Sequence, residues 1–472
     1  MRRLAWLVAL LAGGAAAVPP PAPAAPVSSH AELYTCCLPQ AFKERIFQES
    51  AALGATYIRA SVEMSTIFTT PDGPPDWRGL DEVIALSRRY HVRVLGILLE
   101  TPTWLSTCPT AAQPGHCPPR DLGAYGALAG RIAAHARGVI GHWQILNEPW
   151  HSERFTGTPE DYGRLLSVSN DSIKRAAPED LVVIGNTYVS VFDRAWSRRV
   201  FATAGARRKY DIGAVDLRRG LSYVAGGLRA WRRFLAGEGF RGPVWVTEHG
   251  YPADQVFQDD PSLADGDAAQ ARYLRRSLRD LDAAGAAEVF VTLRHRSSDM
   301  WVSEGIIDFG DPPTYPAIRK PAFYTVRSWA AEWTRRQARY RERVRWYRGQ
   351  ISFHRAVAER SERRVEALRT KAAASRRRER RYRRRARKLE AAAKRYGLCF
   401  EQRGTEVCGR RAARAWAGAA RAERRATAAR RKRRRYRRAA MRPARVAEMH
   451  RRDLTVSAVA ALAYGRLIKP LY

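Results

Sequence analysis

An alternation of short apolar, β-rich runs with helical patterns constrains the fold of this chain most strongly. It extends from about residue 31 to residue 333 and contains eight candidate strands. These are Glu32–Cys36, Tyr57–Val62, Val92–Leu99, Val139–Leu146, Leu181–Gly185, Ile212–Leu217, Val244–Thr247 and Glu288–Leu293. Such alternation favours an α/β fold built from parallel βα units, and eight units in about 300 residues predict a closed (β/α)8 TIM barrel. An open doubly wound sheet is the alternative, although no glycine-rich phosphate loop follows the first strand.

Helix start and stop signals lie between these strands. Thr158 and Pro159 have the pattern of an N-cap followed by proline at the first helical position. Gly285 follows the helical pattern Asp267–Ala284, and Gly54 follows Gln40–Leu53 in the same way. Both glycines therefore predict the ends of helices.

Charge separates the last third of the 472 residues from the rest. Lys and Arg number 83 against 46 Asp and Glu, and residues 334–472 hold 46 of the basic residues but 11 of the acidic ones. Residues 335–396 contain no proline and are rich in Arg, Ala and Glu, which predicts a long helix. A turn at Cys399–Cys408 could reverse the chain into a second basic helix from Arg410 to about Arg438. The prediction is an Arg-rich, mainly helical hairpin as a separate C-terminal extension, residues 334–472.

The N-terminal residues are typical of an export signal. Arg2 and Arg3 precede the apolar run Leu4–Leu11, and Ala15–Ala17 offers a cleavage site before a Pro/Ala-rich spacer that ends at Pro26. Residues 1–26 are thus predicted to be a signal peptide and spacer of a secreted, extracellular protein. An uncleaved signal anchor is the alternative.

Six cysteines suit an exported protein, because disulfides persist in oxidising compartments. Cys108 and Cys117 bracket one short loop, and Cys399 and Cys408 bracket another, so each pair predicts a local disulfide. The adjacent Cys36 and Cys37 form a vicinal bridge, or one of them pairs with the Cys108–Cys117 loop. A zinc site is disfavoured because no second CxxC or histidine pair is present, and no metal or cofactor is expected.

Two apolar strands each end in a glutamate. Trp143–Trp150 reads WQILNEPW and contains Glu148, whereas Val244–Pro252 reads VWVTEHGYP and contains Glu248. Barrel active sites are built at the C-terminal ends of the strands, and these glutamates follow the fourth and seventh predicted strands. Two carboxyls about 5 Å apart can protonate a glycosidic oxygen and attack the anomeric carbon with retention of configuration.

These segments resemble the acid/base and nucleophile motifs of the clan-A glycoside hydrolases, the retaining barrels. The branch containing cellulases, β-xylosidases and α-L-iduronidases is the most similar, and the resemblance covers roughly residues 31–333. It implies that Glu148 is the general acid/base, that Glu248 is the nucleophile and that Asn147 holds the sugar 2-hydroxyl. It also implies that Arg59, in Ile58-Arg59 of the second strand, steadies the nucleophile carboxylate.

Further segments match the same clan and suggest contacts with sugar. Thr101–Trp104 resembles its T-P-x-W segment, and Gly305–Ile307 with Lys320–Ala322 resembles its closing stretch. The predicted substrate-binding residues are Arg59, Trp104, Asn147, Trp150, Tyr251 and Trp301. Exposed-looking tryptophans can stack on sugar rings, although core packing is as common a role for them.

Two segments depart from the clan pattern. After the sixth strand, where the clan has His-x-Tyr, the chain reads VDLRRG over Val215–Gly220, and the eighth strand ends in Leu293-Arg294-His295 rather than a tryptophan platform. Asp216 and Arg218 could be a replacement substrate clamp or a structural salt bridge. His249 and His295 are expected to be ordinary loop histidines.

The expected function is therefore a retaining glycoside hydrolase acting on a β-linked polysaccharide or oligosaccharide. One alternative is a catalytically weakened, carbohydrate-binding protein, and another is a cell-envelope structural protein whose barrel presents the basic extension. That extension is predicted to bind an anionic cell-wall polymer, or an anionic membrane surface with help from the apolar stretch Leu454–Ile468. A solvated spacer is the alternative. Specific nucleic-acid recognition is not expected, because no reading motif is present.

Overall fold

A computed structural model of the protein describes two compact units that divide between Thr334 and Arg335. The described residues are 25–186, 191–203, 205–218, 220–254, 266–294, 302–310, 312, 314–370, 388–395, 411–418 and 437–467. The predicted signal peptide and all but the end of its spacer lie outside the described residues.

Eight parallel strands form a barrel in the first unit. They are β1 (Val27–Tyr34), β2 (Tyr57–Glu63), β3 (Arg93–Leu99), β4 (His142–Ile145), β5 (Leu181–Val183), β6 (Gly213–Asp216), β7 (Val244–His249) and β8 (Glu288–Thr292). Strands β1 to β5 lie side by side in chain order, and so do strands β6 to β8. Strand β1 also pairs with β8, which joins the two groups. A parallel bridge between Val183 and Ile212 joins β5 to the start of β6 and closes the ring. The predicted (β/α)8 architecture is confirmed.

Strand β1 begins five residues earlier than its apolar pattern predicts. The sequence signal is weak there because Ser28 and Ser29 are polar, yet both are fully buried. Ser28 Oγ donates to Glu288 Oε1 at 2.8 Å, and the hydroxyls of Ser29 and Ser50 lie 2.8 Å apart. These hydrogen bonds satisfy the buried polar groups, so the strand can start on residues that look like a loop.

Helices surround the strands, and their ends follow the sequence signals. They are α1 (Gln40–Leu53), α2 (Met64–Ile67), α3 (Arg78–Tyr90), α4 (Leu122–His135), α5 (Pro159–Ala176), α6 (Val191–Ala202), α7 (Leu221–Gly237) and α8 (Asp267–Ala284). Thr158 Oγ1 accepts from the Asp161 N–H at 3.1 Å, and Asp161 accepts from the Thr158 N–H at 2.9 Å. This is a capping box. Gly54 and Gly285 end α1 and α8 in the left-handed region, at φ 81° and 88°.

Short elements complete the connections of the first unit. An antiparallel ribbon is formed by β9 (Ile307–Phe309) and β10 (Ala317–Arg319). Single 3-10 turns occupy Thr103–Leu105, Pro114–His116, Ala206–Arg208 and Val302–Glu304.

Aromatic side chains fill the lower part of the barrel. Trp245, from the start of β7, lies 5.1 Å from Tyr57 and 5.3 Å from His142 between ring centroids. Phe290 of β8 packs against Trp245 at 5.6 Å. Because side chains fill this interior, they support the polar residues at the strand ends from below.

Two disulfides are present among the described residues. One joins Cys108 to Cys117, as predicted, and the other is the vicinal bridge Cys36–Cys37, which settles the two alternatives for that pair. Cys399 and Cys408 lie outside the described residues.

The second unit contains a pair of antiparallel helices. Helix α9 covers Pro321–Thr370 and helix α10 covers Arg437–Leu467, with further helical segments at 388–395 and 411–418. Ring centroids of Tyr340 and Tyr464 lie 6.3 Å apart, and those of His354 and His450 lie 5.1 Å apart. The described partner of this part of α9 is therefore α10, whereas most of the predicted helix from Arg410 to about Arg438 lies outside the described residues.

The apolar stretch near the C-terminus lies in this helix pair. Leu454 and Ala461 are buried, and the Tyr464 ring also packs on Tyr347 at 5.8 Å. These contacts identify internal packing as a role of a stretch that the sequence suggested for surface anchoring. Within the described parts of the chain, no helix has the length and apolar character needed to cross a membrane.

Candidate active site

The ends of β4, β6 and β7 bring three carboxyl groups together at one mouth of the barrel. Glu148 follows β4 by three residues, whereas Asp216 is the last residue of β6 and Glu248 is the last residue but one of β7. Their carboxylate oxygens lie within 4.8 Å of one another. Glu248 and Asp216 are buried, and Glu148 is partly exposed. A group on a molecule that enters the mouth can therefore reach Glu148 most readily.

The backbone that carries Glu148 is in an unusual conformation. Leu146 has φ 58° and Glu148 has φ 44°, in the left-handed region that non-glycine residues rarely adopt. Two hydrogen bonds hold the segment, from the Leu146 N–H to Leu98 O and from the Glu148 N–H to Asn186 Oδ1, each at 3.1 Å. Strain of this kind is kept where surrounding contacts over-determine the structure, and it is concentrated at functional sites.

Arg59 is the centre of a buried network beneath these carboxyls. Its side chain donates to Glu248 Oε1 and to Asn147 Oδ1, and its Nε donates to Gln144 Oε1 at 3.2 Å. Arg59 is only 1% exposed. A guanidinium buried this deeply must be paired, and here one arginine links the strand-four motif to the strand-seven glutamate.

Asn186 and Asp216 extend the network through the barrel. Asn186 Oδ1 accepts from Gln144 Nε2 at 2.7 Å, while its Nδ2 donates to Asp216. Thr247 Oγ1 donates to the other Asp216 oxygen at 3.0 Å. Polar groups from β2, β4, β6 and β7 and from the segment after β5 thus form one connected set of hydrogen bonds. This set fixes the positions of the side chains above it.

Arg218 occupies the region where the resembling clan has a tyrosine. Its Nη1 lies 3.0 Å from Glu248 Oε2, and its Nη2 lies 3.1 Å from Glu304 Oε2. Glu304 also accepts from Thr292 Oγ1 at 2.7 Å. Each oxygen of Glu248 therefore has its own guanidinium partner, Arg59 on one side and Arg218 on the other.

The surroundings drive the pKa values of the two glutamates in opposite directions. Burial raises the pKa of Glu148 to about 7, and the negative charge of Glu248 adds to that shift. Burial would also raise the pKa of Glu248, but the charges of Arg218 and Arg59 outweigh it and hold that pKa well below its ordinary value. Near neutral pH, a proton is thus available on Glu148 while Glu248 is ionised.

Asp216 is the third carboxyl of the group. It is fully buried, and burial together with the charges of Glu248 and Glu148 raises its pKa well above the ordinary value. The three carboxyls could in principle ligate a cation. However, both oxygens of Glu248 already face guanidinium groups, so the arrangement is poorly suited to a metal ion.

The remaining predicted residues are spread around the site. Trp104 is half-buried and donates from Nε1 to Phe68 O at 2.9 Å, and Trp150 is half-buried with its ring 5.3 Å from His151. Their contact with sugar stays a prediction. Trp301 lies outside the described residues, as does His295.

Two residues near Glu248 face the interior of the fold. Tyr251 is completely buried and packs 4.7 Å from the Tyr273 ring, and its contact with substrate stays a prediction. His249 is fully buried and bonds to Leu217 O and Ser277 Oγ, each at 2.7 Å. Burial lowers the pKa of His249 to about 4, so it is neutral and structural rather than a loop histidine.

Three partners in the network were not predicted from sequence: Gln144, Asn186 and Glu304. Gln144 is a polar residue inside the apolar run of strand four, and Asn186 follows the apolar strand five, so each had a usable signal. Arg218 was noted as half of a clamp or salt bridge, and its ion pairs run to Glu248 and Glu304. Glu304 comes from a loop after β8 and has no signal in the sequence.

Solved structures that resemble the chain are glycoside hydrolases. A family 39 glycoside hydrolase from Bacteroides cellulosilyticus WH2 is 14% identical with a TM-score of 0.47, over 61% of this chain and 60% of that one. An exo-β-1,4-mannosidase from an Opitutaceae bacterium is 17% identical with a TM-score of 0.48, over 66% and 60%. The family 5 enzyme from Streptomyces cattleya, solved with Manβ1-4GlcNAc, is 18% identical with a TM-score of 0.46, over 65% and 81%.

These similarities are confined to part of each molecule. The chain spans about 60% of the length of the first of these structures. No protein-family model and no curated protein matches it significantly. Likeness of this extent carries no activity or substrate from those proteins to this chain.

Proposed function

We propose that the protein is a retaining glycoside hydrolase that cleaves β-linked glycans by double displacement. The observation that carries the proposal is the pair Glu148 and Glu248, with carboxylate oxygens within 4.8 Å and pKa values shifted in opposite directions. Retaining glycosidases need two carboxyls at about 5 Å, one protonated and one ionised.

In the first step, Glu248 attacks the anomeric carbon while Glu148 transfers its proton to the leaving glycosidic oxygen. A covalent glycosyl-enzyme forms and the leaving sugar departs. Glu148, now ionised, then takes a proton from water, which attacks the same carbon and releases Glu248. Among the described residues, none hydrogen-bonds the Glu148 carboxyl, so it is available to exchange protons with substrate and water.

Asn147 is placed to recognise the sugar beside Glu248. Its Oδ1 accepts from Arg59, which orients the side-chain amide. Within the described part of the chain, its Nδ2 has no hydrogen-bond partner and can donate to a ligand hydroxyl. A bond from this amide to the sugar 2-hydroxyl would strengthen in the transition state.

A cleft lined partly by the residues that follow Glu148 in the chain is a candidate site for the leaving-group sugar. It lies between the disulfide-closed loop Cys108–Cys117 and the segment after Glu148, with Gln113, His116 and Arg154 among its lining residues. The charge of Arg154 acts on the pKa of Glu148, so the cleft is within electrostatic range of the acid. A volume of about 520 Å³ is sufficient for a sugar ring.

Covalent trapping tests the mechanism directly. The protein is incubated with a panel of 2,4-dinitrophenyl 2-deoxy-2-fluoro-β-glycosides, which form a glycosyl-enzyme quickly and release it slowly. We expect a mass increase of one fluorosugar, mapped by peptide sequencing to Glu248. A label on another carboxyl would overturn the assignment of the nucleophile.

The pH dependence follows from the two pKa shifts. Activity requires protonated Glu148, so kcat/KM should fall as the pH rises through about 7. It also requires ionised Glu248, whose pKa lies below its ordinary 4.5, so the acidic limb should lie below that pH. With a dinitrophenyl leaving group, which needs no proton, Glu148→Gln should remove the alkaline limb. An alkaline limb that survives in this variant would count against Glu148 as the acid.

Arg218 favours a second candidate, a carbohydrate-binding protein with weakened catalysis. A carboxylate held between two guanidiniums is strongly stabilised, which reduces its tendency to attack carbon. This candidate predicts saturable glycan binding without release of product from any member of the substrate panel. Glycan-array binding followed by product analysis distinguishes the two candidates.

We also propose that the protein is exported and that the basic second unit holds it on a surface polyanion. Residues 334–472 carry 46 basic and 11 acidic residues, far more charge than a spacer requires. Binding of the full chain to polyphosphate should weaken at least about tenfold between roughly 50 and 200 mM salt, because bound counterions are released on association. Glutamine at the basic positions of Arg430–Arg438 should weaken it further. The matched control, glutamine at an equal number of exposed barrel arginines, should bind like the unaltered protein, and salt-independent binding would contradict the proposal.

A further inference from the structure

Two histidines and an aspartate meet between the antiparallel helices of the second unit. His354 belongs to α9, whereas His450 and Asp453 belong to α10, three residues apart and so on one face of that helix. The Nδ1 atoms of the two histidines lie 2.8 Å apart, and Asp453 Oδ2 lies 3.9 Å from His354 Nδ1. All three ligand-type atoms lie within 4.8 Å of one another.

We infer that this cluster is a binding site for a divalent transition metal of the zinc type, which clamps α9 to α10. Imidazole nitrogen and carboxylate oxygen are the donors that such ions prefer, with metal–nitrogen distances of about 2.0–2.1 Å. Around a tetrahedral ion two such nitrogens would be about 3.3 Å apart, so small rotations of the side chains would bring the two Nδ1 atoms, now 2.8 Å apart, to ligand positions. Asp453 would supply a third, anionic ligand, and water would fill the remaining positions.

The two histidines present the same ring nitrogen to each other, Nδ1, at 2.8 Å. An ion between them would replace the hydrogen that these two nitrogens share, since metal ligation requires both nitrogens to be unprotonated. The His354 side chain is 13% exposed and Asp453 is 48% exposed, so the helices position the ligands while an ion can still enter from solvent.

The net positive charge next to the cluster is smaller than the composition of the second unit indicates, so it repels a cation less. Arg451 is paired with Glu362 of α9, and Arg452 lies 3.7 Å from Glu448. These ion pairs offset Arg451 and Arg452, which lie between His450 and Asp453 in the chain. A metal clamp would be useful here because dense like charge and few buried apolar residues otherwise leave the helix pair weakly held.

Titration of the chelator-treated, tag-free full chain tests the inference. Calorimetry with ZnCl2 should show saturable binding of one ion, with a higher midpoint of thermal unfolding, and MgCl2 should do neither because Mg²⁺ prefers oxygen ligands. Co²⁺ should give visible absorption bands typical of nitrogen ligation. The absence of saturable Zn²⁺ binding to the unaltered chain would overturn the proposal.

Variants identify the ligands. His354→Ala and His450→Ala should each weaken Zn²⁺ binding about tenfold or more, and Asp453→Asn, which changes an exposed side chain with little effect on folding, should weaken it severalfold. His91→Asn is the matched control, because His91 is exposed at φ 54° and asparagine tolerates that conformation. Glu248→Gln should also leave affinity unchanged, which separates this cluster from the barrel carboxylates. Unchanged affinity in both alanine variants would refute the site.

Discussion

Glu248→Gln is expected to reduce hydrolysis of every active β-glycoside at least about 1,000-fold, because the amide cannot form the glycosyl-enzyme. Glu148→Gln should lower kcat/KM about 10²- to 10⁴-fold on substrates with poor leaving groups, and far less on dinitrophenyl glycosides, which depart without a proton. Steady-state kinetics on paired substrates with good and poor leaving groups measure both effects. The matched control is Glu179→Gln, an exposed glutamate ahead of β5, which should remain fully active.

Azide separates the two roles. In Glu248→Ala, azide can enter the vacated space and attack the anomeric carbon, so turnover of an activated β-glycoside should recover and give the α-glycosyl azide. In Glu148→Ala, azide attacks the glycosyl-enzyme and should give the β-glycosyl azide. Product stereochemistry by NMR distinguishes them, and full hydrolytic activity in either glutamine variant would eliminate the mechanism.

Arg59→Met should be the most destabilising single change in the barrel. It removes one of the two guanidinium partners of the buried Glu248 carboxylate and three further hydrogen bonds. Breaking one side of a buried ion pair costs about 3–5 kcal/mol, which corresponds to at least about 6 °C in the midpoint of thermal unfolding. Activity should fall to background because Glu248 and Asn147 lose their common anchor.

The double variant Arg59→Met/Glu248→Gln tests the cause of that loss. Glu248 in Arg59→Met keeps only Arg218 as a partner, so removing its half-compensated charge should restore part of the lost stability, although activity stays absent. Arg59→Lys keeps the charge without the forked geometry, and it should be intermediate in stability. Equal stability of Arg59→Met and the unaltered protein would show that the network is not held by this ion pair.

The barrel and its central residues were predictable because their signals are local. Glu148 and Glu248 each end an apolar run, and the parallel-strand rule places such ends at one mouth. Arg59 is a charged residue inside an apolar strand, which already marks it as unusual. The partners of Arg218 were not predictable, because its contact with Glu304 depends on the path of a loop after β8. The burial of Tyr251 was not predictable either, because spacing does not specify which way a side chain points in the turn after a strand.

The second unit shows a different limit. From residue 335 onward the sequence is dominated by Arg and Ala. Its composition therefore predicts helices without specifying which helix packs on which. The contacts of α9 with α10 depend on a few widely spaced residues, such as Tyr340, Tyr464 and His450. In a sequence of this kind, these residues do not form a clear apolar stripe, so the packing partner of the helix cannot be predicted.

The join between β5 and β6 has a consequence for how the barrel moves. Strands β2 and β3 match seven residues in register, whereas β5 meets the start of β6 through the bridge of Val183 and Ile212, with three backbone hydrogen bonds around it. Regions with few backbone hydrogen bonds open first in native-state fluctuations. Asn186 and Asp216 lie at the two sides of this seam. Local opening of its hydrogen bonds would therefore loosen the carboxyl cluster while the rest of the barrel stays folded.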